Sequence, residues 1–322
     1  MKRIFFLLSI ILMMVSLCAC NSSKKSIKGL ESLEEITEEN DFVIEYLAYK
    51  IKDEVIVDNN DCKFVISNVK ELEHFGFVIT VYCENKTDDE ISFDIKYMYV
   101  NGYRTEVDWK KTISKGNNTY YINIYPTDIY KKEEGTFSWD TAINNADEIR
   151  FDLNITNIYT NSVIIDDLFT IYPTKLDRDE IGYPGCSRLI EKNTKWLIGD
   201  GRLSMHVLGW YIDEFGNFTL ETFVWNVSNA LKMHVWLDKM VVDGHEIKVD
   251  WDERLPGNIR CFSNISLNAK ELKELGIDPN SITKMELTIN TEYTPSKGKE
   301  DLDTSNYGSS RTVTYFPQAH RG

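Results

Sequence analysis

Beyond the first twenty residues no apolar run is longer than a β-strand, residues 75–83 being typical, so nothing downstream has the length of a membrane-spanning helix. Histidine is scarce, at 5 residues, and none stands in a His-Glu-x-x-His or nucleophile–base arrangement, which removes the motif-bearing metalloproteases and hydrolases. No Gly-x-Ser-x-Gly occurs, and Gly199-Asp-Gly201 runs into Ser204 where a dinucleotide fingerprint needs its third glycine. Ser67-Asn-Val-Lys70 and Ser281-Ile-Thr-Lys284 match Ser-x-x-Lys in letters only, since both fall in strand-like or loop sequence. Of 6 cysteines no two are spaced Cys-x-x-Cys, so neither a zinc knuckle nor a redox dithiol is present. Positive charge is also short: 36 Lys and Arg face 51 Asp and Glu. So acidic a chain is repelled by phosphate backbones, and nucleic acid is excluded as a partner. No cofactor is expected, and a non-enzymatic protein is the reading these absences favour.

What is there starts at the N-terminus. Lys2 and Arg3 precede residues 4–15, which are apolar apart from Ser9, and residues 17–20 read Leu-Cys-Ala-Cys. This resembles a bacterial lipobox, the mark of type II signal peptides. The resemblance implies that Cys20 is linked to diacylglycerol, freed as the new N-terminus and acylated, so that residues 1–19 are the signal peptide and the chain is tethered to the extracytoplasmic face of the cell membrane. The alternatives are an ordinary signal cut after Ala19 or an uncleaved anchor, but an apolar stretch of about 14 residues is short for a span of about 20. Without Lys2 and Arg3 the 36 basic residues become 34 against 51 acidic ones, a net charge of −17. Lys24, Lys25 and Lys28, directly after the anchor, are the residues that could touch headgroups.

Residues 55–173 superimpose on residues 196–317 from end to end. Phe77-Val-Ile-Thr-Val-Tyr-Cys-Glu-Asn85 matches Phe218-Thr-Leu-Glu-Thr-Phe-Val-Trp-Asn226, and Val100-Asn-Gly-x4-Val107-Asp-Trp109 matches Val242-Asp-Gly-x4-Val249-Asp-Trp251. Asn123-Ile124 meets Asn264-Ile265, Leu153-Asn-Ile155 meets Leu287-Thr-Ile289, and Phe169-Thr-Ile-Tyr-Pro173 meets Val313-Thr-Tyr-Phe-Pro317. Within each copy, apolar and polar residues alternate over strand-sized runs punctuated by Asn-Gly and Asp-Gly, the pattern of half-buried antiparallel strands. Seven or so short strands in about 120 residues make a β-sandwich. The fold class is therefore all-β, two tandem immunoglobulin-like sandwiches at 53–174 and 194–318, each with a short helix. They follow a polar, flexible stalk at 20–52 and are separated by a Gly/Pro-bearing linker at 175–193. Asn268-Ala-Lys-Glu271 predicts a capped helix ending at Gly276, and residues 128–135 are its counterpart in the first copy.

The lipobox, the polar stalk and the doubled Val-Asn/Asp-Gly signature resemble immunoglobulin-like lipoproteins of low-GC Gram-positive bacteria. That resemblance implies surface exposure and binding, and it brings no catalytic residues.

Candidate site residues are few. Trp109 and Trp251, retained in both copies, read as sandwich core, so function is expected where the copies differ. Those places are residues 124–146, with Tyr125, Tyr130, Phe137 and Trp139, and residues 291–310, with Tyr293 and Tyr307. Loop aromatics of this kind suit a protein or glycan partner. Asp250, Asp252 and Glu253 are weak calcium candidates, as is the stretch 58–61; neither has a recognised ligand spacing. With a turn at residues 71–74, Cys62 and Cys83 face each other, as a disulfide or as two buried thiols. The sequons at Asn85-Lys-Thr87 and Asn226-Val-Ser228 read as Asn-rich composition. The ranked expectations are a binding module, a structural spacer or accessory subunit of an envelope complex, and, third, an enzyme with carboxylates aimed into a cleft between the domains.

Overall fold

The computed structural model describes residues 33–37, 43–47, 49–72, 76–124, 146–176, 194–305 and 307–320. It divides into two units, residues 1–48 and residues 49–322. In the first, β1 (Leu33–Thr37) pairs antiparallel with β2 (Val43–Leu47), Leu33 opposite Leu47. This ribbon lies inside the stretch read above as flexible stalk. Val43-Ile-Glu-Tyr carries the β-branched and aromatic residues that favour a strand.

In the second unit the period-two stretches all become strands. The first sandwich comprises β3 (Glu54–Asp58), β4 (Cys62–Leu72), β5 (Gly76–Asn85), β6 (Ile91–Val100), β7 (Tyr103–Ile113), β8 (Gly116–Ile124), β9 (Ile149–Asn157) and β10 (Val163–Ile171). The second comprises β11 (Lys195–Gly199), β12 (Leu203–Ile212), β13 (Phe218–Asn226), β14 (Leu231–Val242), β15 (His245–Ile247), β16 (Asp252–Leu255), β17 (Arg260–Leu267), β18 (Met285–Pro295) and β19 (Ser309–Tyr315). One sheet of the first copy runs β3-β4-β5-β8 and its opposing strands run β10-β9-β6-β7. The second copy repeats this as β11-β12-β13-β17 opposite β19-β18-β14 with β15 and β16. Apart from the leading strand and the edge strand after C (β7, or β15 and β16), this is the immunoglobulin order A-B-E facing G-F-C. Even the irregularities repeat: the β3–β4 register slips between Val55 and Val57 and the β11–β12 register between Trp196 and Ile198. The next hairpins slip between Ile66 and Asn68 and between Val207 and Gly209.

Local signals land where expected. Asn101 and Gly102 have φ of 46° and 80°, and Asp243 and Gly244 have 46° and 91°, so both hairpins turn through the left-handed region that Asn/Asp-Gly favours. In α1 (Ala269–Glu274) the Asn268 side chain caps the Lys270 and Glu271 amides, and the helix closes with Gly276 N–H on Lys273 O and Ile277 N–H on Leu272 O. Its proposed counterpart at 128–135 and most of the linker (from 177) lie outside the described residues. Trp109 and Trp251 are buried core residues.

Cys62 and Cys83 are free, buried thiols. The turn lies one to two residues later than the sequence implied, so Cys62 pairs with Asn85 and Cys83 with Phe64, leaving the cysteines diagonal instead of opposed. Burial pushes the Cys62 thiol up to about 11 and the Cys83 thiol up to about 12. A raised folded value favours the protonated thiol, so this stability is intact below the unfolded value of about 8.5 and is lost as pH rises through the folded values. Thiol reagents are expected to leave Cys62, Cys83 and Cys261 untouched in the native state at neutral pH, and the urea midpoint to fall above about pH 9. Rapid native labelling of these thiols, followed by mass spectrometry, would contradict the packing.

The copies are not strung on a linker as separate bodies. Sheet β10-β9-β6-β7 continues through a parallel β7–β17 contact into β17-β13-β12-β11, giving one eight-stranded sheet across both sandwiches. At the seam Tyr103 lies opposite Arg260, whose amide donates to Gly102 O at 2.8 Å. The Arg260 guanidinium sits 4.5 Å from the Trp225 ring centroid, and Tyr103 stacks on Phe262 at 6.1 Å. Arg150, paired with buried Glu148, donates to Gly257 O at 2.9 Å. Arg104 of β7 makes a bidentate ion pair with Glu253 of β16, and Glu253 also accepts from Ser263. The cores interlock as well: Tyr99 is packed into the second core, Leu208 and Phe223 into the first.

Candidate functional site

Beside this seam the sandwiches enclose a cleft of about 410 Å³, within the usual range for a ligand site. One wall belongs to the first copy: Tyr97 and Tyr99 from β6, Asp152 from β9 and Leu168 from β10. The other belongs to the second: Lys232 and His234 from β14, Arg254 from β16, Glu292 and Thr294 from β18, over Met233, Leu255 and Pro256. Side chains alternate along a strand, so β14 buries Met233 and Val235 while turning Lys232 and His234 outward. The register that sets His234 opposite both Arg254 and Glu292 then gathers three charged or titratable groups on one face.

Asp152 is the electrostatic centre of the first wall. Burial raises its carboxyl above the ordinary carboxylate range, opposed by the Tyr99 hydroxyl, which donates to Oδ2 at 2.9 Å, and by the charge of Lys232. Burial and the Asp152 charge in turn raise the Tyr99 phenol well above its usual value. On the second wall His234 is 3.2 Å from Asp252 and stacks on Trp236 with ring centroids 4.6 Å apart. Arg104 approaches the Tyr97 ring to 5.3 Å, linking the cleft to the buried ion pair.

The raised Asp152 carboxyl gives a test. The folded state prefers the protonated acid, so the carboxylate costs stability once pH exceeds its unfolded value of about 3.9. Asp152→Asn is therefore expected to stabilise the fold progressively between about pH 4 and neutrality, read as melting temperature against pH. An equal shift at both ends would show that the carboxyl is not desolvated. A carboxyl raised by burial and lining a cleft is a candidate for a functional site.

The loop aromatics expected to form the binding surface are not all where the sequence put them. Tyr125, Tyr130, Phe137 and Trp139 lie outside the described residues, as do Cys20 and Cys186. Tyr293 is only 4% exposed. β18 continues to Pro295, so Tyr293 extends the inward row of Met285, Leu287 and Ile289 instead of entering a loop. Tyr307 packs on the same core beneath Arg202, whose guanidinium is 4.5 Å from its centroid. Two of the three calcium candidates are committed elsewhere, Glu253 to Arg104 and Asp252 to His234 and Arg254, while Asp250 is exposed. In the stretch 58–61, Asp58 is held by Lys63 and Lys86, which lower its pKa. Among the described residues no cluster of three or more His, Cys, Asp or Glu could hold a metal ion.

The cleft residues were missed because difference between copies was sought only in loops. On the strand faces the copies also diverge: Tyr97 and Tyr99 stand where the second copy has Lys239 and Val241, and His234 stands where the first has Ser92.

No family model and no curated protein matches the chain. Among solved structures it is similar to red sea bream transglutaminase (9% identity, TM-score 0.21), covering 80% of this chain and 31% of that one. It is similar to a protein of unknown function from Porphyromonas gingivalis W83 (11%, TM-score 0.20, 79% and 97% covered) and to the YadV chaperone (10%, TM-score 0.20, 80% and 99% covered). The chain thus spans about a third of the transglutaminase. Likeness at this level says nothing about what the chain binds or does.

Proposed function

We propose that the chain is a lipid-anchored, extracytoplasmic binding module, non-enzymatic, that seats a short polar segment of a protein or glycan in the cleft between its sandwiches. The anchor rests on the residue pattern ending at Cys20. The cleft carries the rest: aromatic and apolar surface for area, with Asp152, Lys232, His234, Arg254 and Glu292 as convergent polar groups, is the composition of a ligand seat. The continuous sheet and buried ion pair hold the two walls at a set separation, so little ordering entropy is spent on binding.

The test is retention of purified cell wall and detergent-solubilised envelope components by wild type and by a Tyr97→Ala/Lys232→Ala variant. Retention lost with the two side chains supports the cleft as the seat. Equal retention would move the seat elsewhere, and no retention by wild type would favour a spacer or accessory subunit.

A specific observation favours one other reading. Asp152, with its raised carboxyl, and Glu292 line opposite walls of the cleft. Two carboxyls, one of them raised above the ordinary carboxylate range, are the minimal equipment for glycoside hydrolysis. Release of reducing sugar from wall glycan, abolished by Asp152→Asn, would establish it. Retention of intact glycan by wild type would not.

A further inference from the structure

We propose that the cleft seats a short peptide carrying one ammonium group and one carboxylate, the ammonium placed against Asp152 and the carboxylate against Lys232 and Arg254. This rests on the reading of the cleft as a ligand seat. Its two walls differ in sign. The one charged residue that the first sandwich contributes to the lining is Asp152. Asp166 lies two residues along β10 from Leu168, which pairs with Asp152, so alternation puts it on the same face, and its charge also bears on the Asp152 carboxyl. The second sandwich brings the cations Lys232 and Arg254, with Glu292 as the acid of that wall. Among the described residues Asp152, Lys232 and Glu292 make no ion pair; Lys297 of the second sandwich takes Asp167 instead. The seam holds the walls apart, so Lys232 acts on Asp152 through its charge without closing onto it. A ligand with one charge of each sign satisfies both walls at once.

Each seat suits its ion. Among the described residues the Asp152 carboxyl has the Tyr99 hydroxyl as its hydrogen-bond partner and no cation, so an ammonium supplies the countercharge that burial withholds. Beside it the Tyr97 ring already draws cations, with Lys96 Nζ 5.2 Å and the Arg104 guanidinium 5.3 Å from its centroid. On the other wall Lys232 and Arg254 are exposed, and the 3.6 Å contact of Arg254 with Asp252 is a surface pair that a ligand carboxylate can displace. Thr294, opposite Lys232 in the β14–β18 register, adds a hydroxyl. Met233, Leu255 and Leu168 leave apolar surface for a side chain between the two charges. The strands β6, β9, β14 and β18 each have a neighbour on both sides, so their backbone groups are spent. A peptide lying on them cannot join as a further strand and is read through its charged groups. A neutral glycan would leave the charges of both walls without partners.

The experiment titrates the full chain, in detergent, with alanyl-leucyl-alanine bearing free ends, its N-acetyl form, its amide and the doubly blocked form. A further probe, N-acetyl-lysyl-leucyl-glutamic acid amide, moves both charges to side chains. Wild type is expected to bind one of the doubly charged peptides about tenfold more tightly than either singly blocked one, and which of the two it prefers tells whether ends or side chains carry the charges. Asp152→Asn should abolish the advantage of the ammonium and leave binding of the N-acetyl form unchanged. Lys232→Met should abolish the advantage of the carboxylate and leave binding of the amide unchanged, while Lys232→Arg keeps both. A general loss of packing would not give this crossed pattern. Equal affinity for all the peptides, no binding of any, or an ammonium preference lost with Glu292→Gln and kept in Asp152→Asn would overturn the proposal. If envelope material is still retained by wild type and lost by Tyr97→Ala/Lys232→Ala, the cleft remains the seat and only the charge assignment falls; if that retention is absent too, both readings fall.

Discussion

Arg104→Ala is expected to lower the unfolding free energy by about 3–5 kcal/mol, because it leaves the Glu253 carboxylate buried without its cation. The two side chains are 11% and 8% exposed, and the pair ties β7 of one sandwich to β16 of the other. Glu253 would keep only the Ser263 hydroxyl, which itself accepts from Trp251 Nε1 at 2.9 Å. The loss should therefore reach Trp251 in the second core, and tryptophan fluorescence during urea unfolding will report it. Replacing both partners by apolar residues of similar volume, Arg104→Met with Glu253→Leu, should recover most of the loss, since it removes the desolvated charges along with their attraction. If Arg104→Ala costs less than about 1 kcal/mol, the range of exposed pairs, the seam is not held by this contact.

Asn226→Ala is expected to cost a similar amount, about 3–5 kcal/mol, by stranding several buried backbone groups at once. Asn226 is fully buried, and its amide donates to the carbonyls of Leu231, Leu255 and Pro256 at 2.7, 3.1 and 3.0 Å. Its oxygen accepts from the Ser228 amide at 3.2 Å. One side chain thus joins the end of β13, the start of β14 and the approach to β17. Asn85 does the same in the first copy, donating to Asp89 O and Ile113 O and accepting from the Thr87 amide and hydroxyl. Asn226→Asp should be nearly as harmful, because a carboxylate has no N–H for three carbonyls. Thermal melts of the two variants decide the matter; a shift of less than about 2 °C, under 1 kcal/mol in a body of this size, would mean that water replaces the amide.

These asparagines show how far local reading carries. Their Asn-x-Ser/Thr spacing passes for composition, yet it recurs at matched places in both copies because the hydroxyl residue two positions on helps to close the turn. Repetition is the signal that marks them, since an asparagine kept at the end of the same strand in both copies is a polar plug and not a matter of composition. Tyr293 is the opposite case: the alternation from Met285 runs straight through it, and reading the strand to its end would have removed it from the binding surface.

The sequence alone determined the all-β class, the doubling, the two Gly-centred hairpins and the capped helix, because each is encoded by period-two alternation or by neighbours a few residues apart. The tertiary structure alone decided the register of β4 on β5, which separates Cys62 from Cys83: Leu72 pairs with Gly76, so the hairpin turns later than the local sequence implies, and the bulge after Ile66 takes back only one residue of that shift. It also decided the joining of the two sandwiches and hence the cleft. That joining depends on which strand edges meet, and β7 and β17 look locally like any other strands; Arg104 and Glu253 stand 149 residues apart in the chain, with nothing in the intervening sequence to announce that they touch.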